Sequence, residues 1–134
     1  SSSLKAFEVF ENSNFKLLVG DFFNLGQNFL SFDYIYDRAS YVALDKPSRK
    51  RFSQKLTEIS KAGCKILLIA FKYPQTQYQG PPYSITREEI DENFSAHFSI
   101  QLISSHQKSS ISKRFLEQGL DFFNEDIYLL EKLY

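Results

Sequence analysis

Two periods of apolar and polar residues run along this chain, and each marks a different kind of element. Residues 65–71 (KILLIAF) are almost continuously apolar, the pattern of a strand buried on both faces in a parallel sheet. Residues 32–37 (FDYIYD) alternate, with Phe32, Tyr34 and Tyr36 opposite Asp33, Ile35 and Asp37, and predict a second strand. Residues 15–23 (FKLLVGDFF), 99–104 (SIQLIS) and 126–133 (DIYLLEKL) read as three more, the first of them buried. Helical spacing governs 46–62: Phe52, Leu56 and Ile59 share a face, Pro47 suits the first turn, and Gly63 stands where a C-terminal cap belongs. Thr86 and Glu89 form a T-x-x-E capping box that opens a helix over 86–97. A shorter helical segment, SKRFLEQ, ends at Gly119. Leu4, Phe7, Val9 and Phe10 fall loosely on one helical face over 4–11, before Asn12, Ser13 and Asn14 break the pattern. Three of the four prolines lie in 74–84, which predicts an extended loop. The succession is largely an alternating α/β pattern, expected to form a single domain over residues 1–134.

Composition narrows the function classes. The 134 residues carry 16 basic and 16 acidic side chains, and this neutrality argues against a general nucleic-acid binder, which needs a basic surplus to displace counterions. No apolar run approaches the ~20 residues needed to span a bilayer, so no membrane partner is expected. No signal peptide is visible, and the single Cys64 cannot form an intrachain disulfide. Both features fit a cytoplasmic location. The 14 Phe and 8 Tyr, with no Trp, supply ample material for a core or an aromatic-lined pocket. Met is absent even at position 1, which fits either a processed or trimmed piece or Met removal ahead of Ser1.

The candidate chemistry gathers at strand ends. Asp21 and Asp37 each stand near the C-terminal end of a predicted strand, where the ligand crevice of an open α/β sheet lies. Capping of the following segment is the simpler role for both. Arg38 follows directly, and its permanent charge suits a carboxylate, an electron-rich heterocycle or an anionic nucleophile, with a surface salt bridge as the plainer alternative. Gly80-Pro81-Pro82-Tyr83 is a rigid turn suited to the edge of a pocket, to a polyproline ligand or to a plain surface loop. The run Arg49-Lys50-Arg51 reads as the solvated face of its helix. His97 and His106 lack the companions a metal site requires, so no metal is expected, and Cys64 reads as core. No G-x-S-x-G, P-loop or G-x-G-x-x-G occurs.

With these elements placed, the chain resembles the thiopurine S-methyltransferase family, a branch of the class I S-adenosylmethionine-dependent methyltransferases. The segments that carry the resemblance are GDFFNL (20–25), FDYIYDRASYVAL (32–44), the helix start Pro47–Arg51, the Tyr73…GPPY loop (73–83), EEI (88–90), the Arg114…Gly119 segment and IYLLEK (127–132). Together they cover about residues 15–132. The resemblance implies a Rossmann-like α/β sheet of order 3-2-1-4-5-7-6. FKLLVGDFF would be its third strand, FDYIYDR the fourth, KILLIAF the fifth, SIQLIS the sixth and DIYLLEK an antiparallel seventh. It implies S-adenosylmethionine as cofactor, with Asp21 and Phe22 against the adenine and Asp37 also on the cofactor side. Arg38 and Arg114 would lie beside the reacting sulfur, and Gly80, Pro81 and Pro82 would help close the pocket of a small aromatic or heterocyclic thiol.

The sheet implied is incomplete, because the family's first two strands, its glycine-containing cofactor loop and the acidic residue that holds the ribose have no counterpart here. Three arrangements would protect the strand edge this leaves: FKLLVGDFF pairs with FDYIYDR, it swaps into a partner chain to give a homodimer, or a separate N-terminal piece completes the sheet. The alternative function is a catalytically inactive remnant or binding module that retains the back half of the fold.

Overall fold

The computed structural model describes residues 7–26, 32–108 and 113–134. Its elements, in chain order, are β1 (Glu8–Glu11), β2 (Lys16–Val19), β3 (Phe32–Asp37), α1 (Lys46–Ile59), β4 (Ser60–Lys72), α2 (Arg87–Phe94), β5 (Phe98–Gln107), α3 (Lys113–Glu117) and β6 (Asn124–Lys132). Short 3-10 turns at Phe22–Asn24 and Tyr41–Ala43 follow β2 and β3.

A four-stranded sheet of order β3-β4-β6-β5 carries the fold. β4 runs parallel to β3 and antiparallel to β6, and β5 runs antiparallel to β6. β3, β4 and β5 therefore point the same way, with β6 reversed between the last two. This is the order and direction expected for the family's strands four to seven. β4 lies between β3 and β6, and its apolar run buries Ile66, Leu68, Ile69 and Ala70. Ile66, Leu68 and Ala70 are buried on one face and Ile69 on the other, which is why the run carries apolar residues on both faces.

α1 starts at an Asp45 cap whose side chain accepts from the Ser48 amide, with Pro47 in the first turn. It packs Phe52, Leu56 and Ile59 into the core. The helix ends at Ile59 rather than at residue 62, so Gly63 is not its cap. Gly63 lies inside β4 at φ +83°, within the irregular stretch where the β3–β4 register shifts between Phe32 and Tyr34. A left-handed residue inside a strand makes a bulge, which glycine accepts without strain. α2 is shorter than expected, ending at Phe94, and Phe94 meets Phe98 of β5 edge to face at 5.8 Å.

The N-terminal region departs most from expectation. Residues 8–11 form a strand rather than a helical face, and residues 4–6 of that predicted segment lie outside the described ones. β1 and β2 pair antiparallel as a separate hairpin. Asn12 closes it, its side-chain oxygen accepting from the amides of Asn14 and Phe15 at 2.8 and 2.7 Å. FKLLVGDFF is thus neither a buried strand nor a member of the main sheet, and it does not pair with FDYIYDR. Leu18 faces the core, while Phe15, Leu17 and Val19 are exposed. The physical reason is local: the Asx turn at Asn12 closes β1 onto β2 before any longer-range pairing is needed.

Candidate functional site at the carboxyl edge of the sheet

Because β3, β4 and β5 are parallel to one another, the segments that follow them leave at one edge of the sheet. Arg38 follows β3, the Pro74–Ser84 loop follows β4, and α3 with Arg114 lies beyond β5. Three contacts tie these segments together. The Tyr83 amide donates to the Val42 carbonyl at 2.8 Å, which fastens the loop to the turn after Arg38. The Tyr78 hydroxyl donates to the Pro81 carbonyl at 2.8 Å and lies 3.4 Å from Nη2 of Arg114. The Asp121 amide donates to the Gln77 side chain at 3.4 Å.

The loop is built to hold one shape. Tyr73 donates through its hydroxyl to the Pro82 carbonyl, and Gln75 donates to the carbonyls of Tyr78 and Gln79 at 2.7 and 3.0 Å. Gly80 sits at φ +101°, and a Cβ there would stand 2.7 Å from the Tyr83 ring, so only glycine fits. An aromatic cluster continues the wall toward α3. Tyr73 and Phe115 each stack on Phe123 at 5.9 and 5.8 Å, and Tyr78 meets Phe115 edge to face at 5.1 Å.

Beside β3 lies an apolar groove of about 620 Å³, lined among others by Leu18, Phe22, Tyr36, Asp37, Leu44 and Phe52. Its walls suit a flat heterocycle. Asp37 is buried at its margin, where desolvation raises its pKa, against hydrogen bonds from Tyr41 and Ser40 that lower it. Phe22 presents one ring face to Phe52, stacked at 4.8 Å. Asp21 does not line the groove. It is exposed and caps the 3-10 turn, accepting from the Phe23 amide at 3.0 Å. Both aspartates therefore make the capping contacts that are the simpler reading of them, and only Asp37 also borders the groove.

Behind this edge lies a buried polar network that the sequence reading missed. Arg49 donates to both carboxylate oxygens of Glu89, from Nε at 2.9 Å and Nη2 at 2.7 Å, and from Nη1 to the Leu44 carbonyl at 2.7 Å. The Tyr41 hydroxyl donates to Glu89 at 2.6 Å and accepts from Asn93 at 2.8 Å. The Arg49 guanidinium also lies 5.3 Å from the Tyr83 ring centroid. Arg49 and Glu89 are only 5% and 8% exposed, which corrects the reading of Arg49 as solvated; Lys50 and Arg51 are exposed as expected. Burial opposes the Arg49 charge, but the hydrogen bonds and charge of Glu89 outweigh it and raise its pKa. Burial and the Glu89 contact both push the Tyr41 phenol pKa upward. A signal was present: Arg49 precedes Phe52, Ser53 and Leu56 at helical spacing, so it extends the buried stripe by one turn.

Arg38 and Arg114 are both exposed at this edge. Among the described residues no group of three or more His, Cys, Asp or Glu side chains is placed to hold a metal. Cys64 is buried, and desolvation raises its pKa. Among the described residues no helix is long and apolar enough to cross a membrane.

Comparison with known proteins bears on the family and the fold. The family model described as thiopurine S-methyltransferase matches residues 1–133. A thiopurine S-methyltransferase of Vibrio campbellii is 32% identical over 124 residues, covering 92% of this chain and 56% of its own length. One from Nitrosospira multiformis is 34% identical over 125 residues, covering 92% and 57%. The chain thus spans a little over half the length of these relatives. Among solved structures, a SAM-dependent methyltransferase of Methanosarcina mazei superposes with a TM-score of 0.56 at 14% identity, covering 76% of this chain and 59% of that one. The YcgJ protein of Bacillus subtilis gives 0.61 at 11% identity, covering 78% and 65%. These likenesses show a Rossmann-like class I methyltransferase fold. The chain belongs to the thiopurine S-methyltransferase family.

Proposed function

We propose that the protein carrying these residues moves a methyl group from S-adenosylmethionine to the sulfur of a small aromatic or heterocyclic thiol. The observation that carries this reading is the single sheet edge shared by Arg38, the Gly80-Pro81-Pro82 loop and Arg114. When bound, S-adenosylmethionine supplies a sulfonium methyl group open to in-line displacement, giving the S-methyl thioether and S-adenosylhomocysteine. The groove fits such a cofactor, because Phe22 and Leu44 offer apolar walls to a flat base and Asp37 offers an acceptor at the margin. Asp21, next to Phe22 in sequence, lies outside the groove's lining.

The protein's own part is orientation and electrostatics. Arg38 and Arg114 would favour the thiolate over the thiol by stabilising negative charge on sulfur, and an aromatic thiol is acidic enough to lose its proton to solvent. Gly80, Pro81 and Pro82 would close over the ring and hold its sulfur in line. The partners are thus a small thiol and the cofactor, and the proposed location is the cytoplasm. A second reading, a binding module without catalysis, is favoured by β3: among the described residues no strand pairs with its outer edge. Incubating the protein at its full natural length with S-adenosylmethionine and 5-thio-2-nitrobenzoate separates the two. Bleaching of the coloured thiolate with formation of the S-methyl product supports the enzyme. Stable absorbance and no methylated product support the module.

A further inference from the structure

We infer that Tyr78 is a positioning residue that holds the Arg114 guanidinium at the mouth of the substrate loop. The inference deepens the proposed function and rests on it. Tyr78 joins two segments far apart in sequence. Its hydroxyl donates to the Pro81 carbonyl at 2.8 Å, inside the turn that would close over substrate. The same oxygen, with lone pairs to spare, accepts from Nη2 of Arg114 at 3.4 Å. The ring is buried edge to face against Phe115, the neighbour of Arg114, at 5.1 Å. The Tyr78 carbonyl is fixed by Gln75 at 2.7 Å.

These contacts give Tyr78 little freedom, whereas Arg114 is exposed on a helix of only five residues. A long exposed side chain samples many rotamers, and a fixed acceptor narrows them. Arg114 lies 5.7 Å over the Phe115 ring, which limits it from a second side. Tyr78 thereby links the loop that would cover the thiol to the charge that would meet its sulfur, so loop and charge would be set together.

Tyr78→Phe keeps the ring and its packing and removes only the hydroxyl. With 5-thio-2-nitrobenzoate in the full-length protein, Tyr78→Phe is expected to lower kcat/KM about five- to tenfold, mainly through KM, in line with losing one to two hydrogen bonds of ordinary strength. The Tyr78 hydroxyl also holds the Pro81 carbonyl, so part of the loss is independent of Arg114 and part runs through it; the two losses are therefore expected to combine less than multiplicatively in Tyr78→Phe/Arg114→Ala. Losses that multiply in the double variant, or a Tyr78→Phe rate within twofold of wild type, overturn the inference. A second readout needs no turnover. The Arg114 Nε–Hε signal in 15N relaxation is expected to become more mobile in Tyr78→Phe, and unchanged relaxation overturns the link. A wild-type protein that methylates no aromatic thiol overturns the methyltransferase reading, while the relaxation result still decides whether Tyr78 restrains Arg114.

Discussion

At the scale of single residues, the Arg49–Glu89 pair and Asp37 make the sharpest claims. Removing one partner of a buried ion pair strands the other, which costs about 3–5 kcal/mol, whereas replacing both by apolar residues of similar size costs far less. Urea unfolding of Glu89→Gln should therefore show a loss of that order, and an Arg49→Met/Glu89→Leu double variant should recover most of it. Asp37 predicts a pH dependence. Burial, opposed by hydrogen bonds from Tyr41 and Ser40, leaves its pKa above the ordinary 3.8, so the native state binds more protons than the unfolded chain. Its contribution to stability therefore falls as pH rises from 3.8 through the raised native value, and is most favourable below that interval. Asp37→Asn should gain stability relative to wild type as pH climbs through this range, and urea midpoints measured from about pH 4 to neutrality check the direction. Much of this was legible in the sequence: Asp37 stood at a strand end, and its capping role was the simpler reading. Arg49 was not, because three basic residues in a row look solvated until the helical stripe is extended back one turn.

At the scale of elements, the strands of the main sheet could be read because their apolar runs record burial directly. FDYIYDR ended where the alternation ended, and KILLIAF announced a strand with neighbours on both sides. β2 lay inside the predicted strand FKLLVGDFF, but β1 was read as a helical face because four residues are too few for strand and helix periods to separate. Gly63 misled for a related reason, since a left-handed glycine suits a helix cap and a strand bulge equally. The proline loop gives the clearest test at this scale. Gly80→Ala must move either the backbone from φ +101° or the Tyr83 ring that lies over Arg49. A loss of about 1–3 kcal/mol in thermal or urea unfolding is expected, with a raised KM for thiol; an alanine variant as stable as wild type would show that the loop relaxes freely.

At the scale of the whole molecule, the sheet order β3-β4-β6-β5 converts three separated sequence segments into one edge. Asp21, Asp37, Arg38 and the Gly80-Pro81-Pro82 turn stood out locally, whereas Phe22 and Arg114 were legible only through family resemblance; their union needs the parallel direction of β3, β4 and β5, a long-range property that no local pattern records. Tyr34 and Tyr36, which also line the groove beside β3, are 75% and 63% exposed, an apolar surface that favours association. Light scattering should accordingly detect concentration-dependent self-association of this chain, and Tyr34→Lys should weaken it. A clean monomer at high concentration would remove the swapped homodimer. The central claim is that the carboxyl edge holds a thiolate for methyl transfer. Turnover of 5-thio-2-nitrobenzoate by the full-length protein, compared between wild type and Arg38→Ala at saturating S-adenosylmethionine, tests it most directly. A loss of about tenfold or more is predicted from removing one preorganised charge beside the reacting atom, and equal rates in the two proteins would contradict it.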